Sequence, residues 1–181
     1  MKRVCDLLNW VLILGMVVAA LWAWPRLPDR IPTHFGASGQ ADAWGEKAFG
    51  SWFMIPGIAV ALTAGMGWFR GMIPRRPGWV NLPDRTSLAD LPEVARRPVV
   101  EMFSGFLALI QTEVLFIFAL VQLAIYRTAM GQESRGIMIL VLITAIVASP
   151  FLMVVFFLRL QGAMDRGKKL AAGKGSGFQE G

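Results

Sequence analysis

Apolar residues fall into four long runs, and the polar residues gather between them. The first run, Leu7 to Trp24, carries VLILGMVVAALWAW without a charge and follows the basic Met1-Lys2-Arg3. With its flanking residues it is long enough to cross about 30 Å of hydrocarbon as a helix. A secretory signal peptide would share the basic start, but this core runs long and ends in Trp22, Trp24 and Pro25, which favours a retained helix. The second run, Ser51 to Phe69, is uncharged, with Trp52 and Trp68 near its ends, where indole rings suit the headgroup level. Gly57, Ala61 and Gly65 recur there at every fourth position, and Ala59, Thr63, Gly67 and Gly71 form a second such row. The first row predicts close approach by a neighbouring helix, either the Gly15, Ala19, Ala23 row of the first run or the Ser104, Ala108, Thr112 row of the third.

The third run, Phe103 to Tyr126, contains Glu113 near its midpoint, read as the only ionisable residue inside a span. About a dozen Leu, Ile, Val and Phe residues each favour insertion by ~0.3 to 0.6 kcal/mol, against roughly 3 kcal/mol for one central charge, so the run still enters the membrane. The fourth, Ile137 to Leu158, holds Pro150, which predicts a kink.

Between the first two runs lies LPDRIPTHFGASGQADAWG, Leu27 to Gly45. Pro28, Pro32, Gly36, Gly39 and Gly45 interrupt both helix and strand periodicity, while Asp29, Ser38 and Asp42 supply turn-forming side chains. The expectation is a folded loop without regular structure, anchored by Phe35 and Trp44. The connection from Arg70 to Glu101 is proline-rich and the most basic part of the chain, and Ser87 to Arg97 predicts a short interfacial helix limited by Pro92 and Pro98.

Charge then orients the spans. Thirteen of the 18 Lys and Arg residues lie in the N-terminus, the Arg70–Glu101 connection and the tail. Positive-inside bias therefore predicts that both termini are cytoplasmic and that Leu27 to Gly45 is not. The fold class that follows is an all-α integral membrane protein: a four-helix transmembrane bundle with an ordered extracytoplasmic loop between helices 1 and 2. A four-span domain would occupy residues 1–160 and a basic, glycine-rich cytoplasmic tail residues 161–181. Composition agrees, with 55% hydrophobic and 17% charged residues and a mean hydropathy of +0.54. The net charge of +6 flanks apolar spans, so it reads as anchoring to anionic lipid and not as a nucleic-acid surface. The expected location is the cytoplasmic membrane.

Candidate chemistry is sparse. The single Cys5 excludes an internal disulfide. His34, the only histidine, lies near Asp29, Asp42 and Glu46. Three roles stay open for it: hydrogen bonding to backbone that orders the loop, recognition or pH sensing, and metal ligation. One histidine with loosely spaced carboxylates is a weak metal signal, and no cofactor is expected. Pro32, Phe35, Gly39 and Trp44 complete the candidate ligand-binding or loop-ordering set. Glu113 with Gln111, Thr112 and Gln122 forms a candidate intramembrane polar group, since such residues face a bundle interior and mark ion paths, relays or packing. Serine-histidine triads, phosphate loops and metalloprotease signatures are absent, so no catalytic residues are assigned.

LPDRIPTHFGASGQADAWGEK at Leu27 to Lys47, Pro56 early in the next span, and VNLPDR with Asn81, Leu82 and Pro83 together resemble a bacterial membrane domain of uncharacterised function. That domain also forms the N-terminal part of SdpI-type immunity proteins, and the resemblance covers roughly Trp24 to Tyr126. It implies a non-catalytic protein engaged in envelope sensing or in immunity to an extracytoplasmic peptide, with a cytoplasmic regulator as a second partner. A small proton-coupled transporter or channel-like bundle using Glu113 is the alternative.

Overall fold

The computed structural model describes residues 2–82 and 87–176. Pro83 of the VNLPDR motif lies outside the described residues. Helix α1 (Lys2–Ala23) ends in a 3-10 turn at Trp24–Arg26. A pair of strands follows, β1 (Arg30–Phe35) and β2 (Ala41–Glu46), and then α2 (Phe49–Met72). Two further 3-10 turns, Pro77–Trp79 and Leu88–Asp90, lead into α3 (Glu93–Ala129). The last span is α4 (Arg135–Ile143), a π-helical segment (Thr144–Ala148) and α5 (Ser149–Ser176). Among the described residues, four helices are long and apolar enough to cross a membrane: Lys2–Arg26, Phe49–Met72, Glu93–Ala129 and Arg135–Asp165.

The architecture is mostly helical but not all-α, because the polar stretch after α1 is an antiparallel hairpin. Its proline and glycines do not prevent strand pairing. Pro32 is accepted in an edge strand, where a missing ladder hydrogen bond is tolerated, and the glycines sit at the turn or opposite side chains. The expected interfacial helix over Ser87–Arg97 also gives way. Pro98 lies inside α3, which starts at Glu93 and runs without a break into the apolar span. At 37 residues it measures about 55 Å, well beyond the hydrocarbon thickness.

Helix contacts are made where side chains are small. Ala20, Ala108 and Ala124 have no exposed surface and Ala59 has 1%, as expected where packing and not hydrophobicity drives association in lipid. The Gly57, Ala61, Gly65 row points away from the bundle, and nothing lies within 4 Å of a β-carbon built on Gly57 or Gly65. The second row of α2 makes the contact instead, through Ala59 against Ile13, Met16 and Leu115. Where Pro150 predicts a kink, the last span holds a π segment, Thr144–Ala148, that ends two residues before the proline. The extra residue in that turn absorbs the backbone mismatch created by a proline, which has no amide hydrogen.

Two further cores close the ends of the bundle. At one end Ala20, Ala23, Leu27, Ile31 and Trp52 pack together with Ile125, Tyr126 and Ala129. At the other, Ile73, Val80, Leu82 and Leu88 of the α2–α3 connection fold onto Val99 of α3 and onto Phe156, Leu160 and Met164 of α5. That connection is therefore a packed element, pinned by the Asn81–Ser87 bridge and by the Leu88 N–H to Val80 carbonyl hydrogen bond of 2.9 Å.

Candidate functional site

The hairpin is fixed at both ends. At its tip the Gly39 N–H donates to the Gly36 carbonyl and the Gly36 N–H to the Gln40 carbonyl, each at 2.9 Å. This closes a three-residue loop, Ala37 to Gly39, whose last residue is left-handed (φ 74° at Gly39). Such a hairpin needs glycine there. Gly39 is also buried, and a β-carbon on it would meet Met138 Cβ at 3.2 Å and the Arg135 carbonyl at 3.4 Å. The tip thus rests on the start of α4. At the base, the Lys47 N–H donates to the Asp29 carbonyl at 2.7 Å and Lys47 Nζ to the Leu27 carbonyl at 3.1 Å. Lys47 Nζ also lies 4.8 Å from the Trp24 ring, which meets Phe49 edge-on and Phe53 at a tilt. Trp52, 2% exposed, donates from Nε1 to the Ala20 carbonyl at 3.0 Å and joins α2 to α1 beneath the hairpin. Helix α2 starts cleanly because Ser51 Oγ accepts from the Ala48 N–H at 3.3 Å and donates to the Ala48 carbonyl at 2.9 Å.

The start of β1 is anchored, and the rest of the hairpin is more open. Ile31 and Pro32 are buried against the helices, while His34, Asp42, Ala43 and Trp44 are exposed. The anchors are thus Leu27, Ile31 and Pro32. Phe35 is half-buried, and Trp44 projects outward with 41% of its surface exposed, contrary to the expected inward anchor. Residues pair in a constant register, Arg30 with Glu46 and Phe35 with Ala41, except at an irregularity around His34 and Ala43. There the ladder pairs His34 with Ala43, and the imidazole meets the adjacent Asp42. Their Nδ1 and Oδ1 atoms are 2.5 Å apart, with 68% and 54% of the side chains exposed. His34 is therefore paired with a carboxylate and not with backbone, and such an exposed pair contributes ~0 to 1 kcal/mol. A β-carbon on Gly36 would stand 2.8 Å from Asp42 Oδ2, so a side chain there would push the exposed carboxylate aside. Trp44 borders two clefts. One, of about 200 Å³, lies between the hairpin and the α3–α4 turn at Thr128 and Ser134. The other borders Asp29, Arg30, Glu46 and Lys47.

The intramembrane polar residues do not form one group. Gln111, 3% exposed, donates from Nε2 to Thr63 Oγ1 at 3.0 Å and accepts from Arg70 Nη1 at 3.5 Å. Arg70 Nη2 in turn pairs with Asp6 Oδ1 at 2.5 Å. One turn along α1, Asn9 Nδ2 donates to the Ala108 carbonyl at 3.3 Å. A polar cluster thus joins α1, α2 and α3 at the end opposite the hairpin. The reading that Glu113 alone is ionisable within the spans misses this cluster, since Asp6 and Arg70 belong to the helices that cross. The missed signal is antiparallel: one charge just inside the start of span 1 and its opposite just inside the end of span 2. Glu113 faces elsewhere, accepting from Ser149 Oγ at 2.9 Å where the π segment meets α5. Thr112 bonds only its own helix, to the Ala108 carbonyl at 2.9 Å. In the α2–α3 connection Leu82 is 3% exposed and structural, while Asn81 is exposed.

Residues 11–60 match a family described as a domain of unknown function, DUF1648. The match takes in the latter part of α1, the hairpin and the first half of α2, a narrower stretch than the Trp24 to Tyr126 resemblance. An uncharacterized protein of Archaeoglobus fulgidus is 26% identical in an alignment of 161 residues that covers 83% of this chain and 87% of that protein. No solved structure matches the chain.

Proposed function

We propose that this protein is a non-catalytic membrane receptor that recognises an extracytoplasmic peptide with the exposed side chains of its hairpin, in envelope sensing or in immunity of the SdpI type. Trp44 carries the reading. A tryptophan exposed between two clefts, on a strand pair clamped at base and tip, offers large contact area at little entropic cost on binding. His34 and Asp42 beside it offer a donor and acceptors for peptide groups. The basic bias of the opposite end supports an orientation with both termini in the cytoplasm. There Arg75, Arg76, Arg96 and Arg97 are available to a regulator. The test places a photocrosslinking amino acid at position 44 in living cells exposed to the secreted peptide fraction of the producing culture. A peptide adduct at position 44, absent at position 76, is expected; adducts at neither position sink the reading.

The contact between Glu113 and Ser149 favours a second reading. A carboxylate on one span bonded to a π segment in another is an arrangement suited to a coupling acid that changes partners as a helix shifts. Proton flux in liposomes that is abolished by Glu113→Gln would select it over the receptor.

A further inference from the structure

A groove of about 340 Å³ runs beside the packed seam of α1 and α3 beneath the hairpin, a volume within the range of small-molecule sites. Gly15, Ala19 and Ala23 form its α1 wall, and Ala119, Gln122 and Leu123 its α3 wall. Rows of small residues ordinarily mark where helices touch, yet this one borders empty space, and a β-carbon on Gly15 would meet no atom within 4 Å. Trp22 and Tyr126, with ring centroids 6.0 Å apart, bound it on the hairpin side. Val11, Trp22 and Leu123 along its margin are 58%, 54% and 45% exposed. The gap therefore opens sideways, onto the surface that an apolar bundle turns to lipid.

Gln122 supplies a second, independent observation. It lines the gap, is 6% exposed, and donates from Nε2 to the Trp52 carbonyl at 3.4 Å, but its Oε1 has no partner. That oxygen is itself buried, so the amide must turn about its broad terminal torsion to present it to the gap. On α3 it lies one turn, about 5.4 Å, from Tyr126, whose ring belongs at the headgroup level. The missing partner is thus a hydrogen-bond donor just below the interface. Ester carbonyls at that depth only accept, whereas a free glycerol hydroxyl donates.

We propose that the gap binds a hydroxyl-bearing acyl lipid of the mono- or diacylglycerol class. Its chain lies along Gly15 and Ala19, and its free hydroxyl donates to Gln122 Oε1. The site does not depend on the receptor reading.

The test uses the full-length protein in phosphatidylcholine nanodiscs with two probes: a monoacylglycerol carrying a diazirine in its chain, and the same probe with both hydroxyls methylated. Labelling of the wild type by the first probe should map to residues near Gly15, Ala19 and Leu123. Gly15→Phe should reduce it at least tenfold without lowering the melting temperature, and Ala19→Phe serves if that variant does not fold. Gln122→Leu should reduce labelling by the free-hydroxyl probe about tenfold, the ratio that ~1.4 kcal/mol corresponds to, and leave the methylated probe unchanged. Equal labelling by both probes in the wild type would overturn the proposal in favour of an undiscriminating acyl-chain groove. Adducts spread over α5, or a dimer lost in Gly15→Phe, would overturn it in favour of general lipid contact or a second copy of the chain.

Discussion

Replacing Arg70 by methionine tests the polar cluster that joins three spans. Arg70 is held with 14% of its side chain exposed and Asp6 with 33%. Fully exposed pairs contribute ~0 to 1 kcal/mol, and loss of one partner from a fully buried pair costs ~3 to 5 kcal/mol. Asp6 is open enough to recover some hydration once its partner is gone, so a loss of about 2 kcal/mol is expected, between those limits. Methionine keeps most of the apolar stem, and Gln111 retains its bond to Thr63 at 3.0 Å, so the loss reports chiefly on the ion pair. For a chain of this length ~1 kcal/mol shifts the melting temperature by about 2 to 4 °C. Detergent-purified Arg70→Met should therefore melt about 4 to 8 °C below wild type. The decisive measurement is the double-mutant cycle with Asp6→Asn. Removal of the stranded charge should make the double variant more stable than the sum of the single losses predicts, by ~1 kcal/mol or more. Additive losses, or an Arg70→Met melt within a degree of wild type, would refute the cluster as a link between spans.

Three other outcomes test the remaining parts. Amide exchange across Pro28 to Glu46 should be slow in the β1–β2 ladder and fast at Ala37 and Ser38; uniformly fast exchange would remove the preformed surface. Gly39→Ala should cost ~1 kcal/mol or more, because the residue is left-handed and its new methyl would press on Met138. Gly39→Asn should cost less, since asparagine tolerates that conformation while meeting the same neighbours, and equal costs would assign the effect to crowding. With Cys5 replaced, a cysteine at Gln40 should react with an impermeant thiol reagent in intact cells and one at Arg76 should not; the reverse pattern would invert the topology.

Span positions were legible because a run of twenty apolar residues has few alternatives, and the four expected segments fall inside the four observed helices. Helix ends were less so. Met72 and Glu93 bound their helices through packing of Ile73, Leu82 and Leu88 on Val99 and Phe156, a tertiary contact with no local signature. The hairpin was readable in principle. Ala37-Ser38-Gly39 is a three-residue loop with glycine at its last position, between RIPTHF and ADAWGE. Prolines at 28 and 32 outweighed that signal because a proline within a run counts against a central strand, and in an isolated pair both strands are edges. The small-residue rows named candidate contact faces without showing which would be used. Ala59 makes contact while Gly57 and Gly65 do not, and the Gly15 row borders a gap. Position along one helix does not reveal where its neighbours stand.

The grouping of Gln111, Thr112 and Glu113 failed for a reason that also explains how α3 serves the fold. Two residues along an α-helix turn the side chain through about 200°, so Gln111 and Glu113 must look toward different neighbours. Gln111 looks toward α1 and α2, where Arg70 and Thr63 meet it, and Glu113 toward α5, where Ser149 meets it. A helix polar on two sides at one depth has to be surrounded, since either side would be costly against lipid. That requirement places α3 at the centre, with α1 and α2 on one flank and α4 and α5 on the other. Its length then does the rest. The hairpin-side end carries Ile125, Tyr126 and Ala129 beneath Ile31, while the other end carries Val99 beneath Leu82 and Leu88. One helix thereby seats the exposed hairpin and the packed basic connection, and a displacement of either bears on the same rigid element.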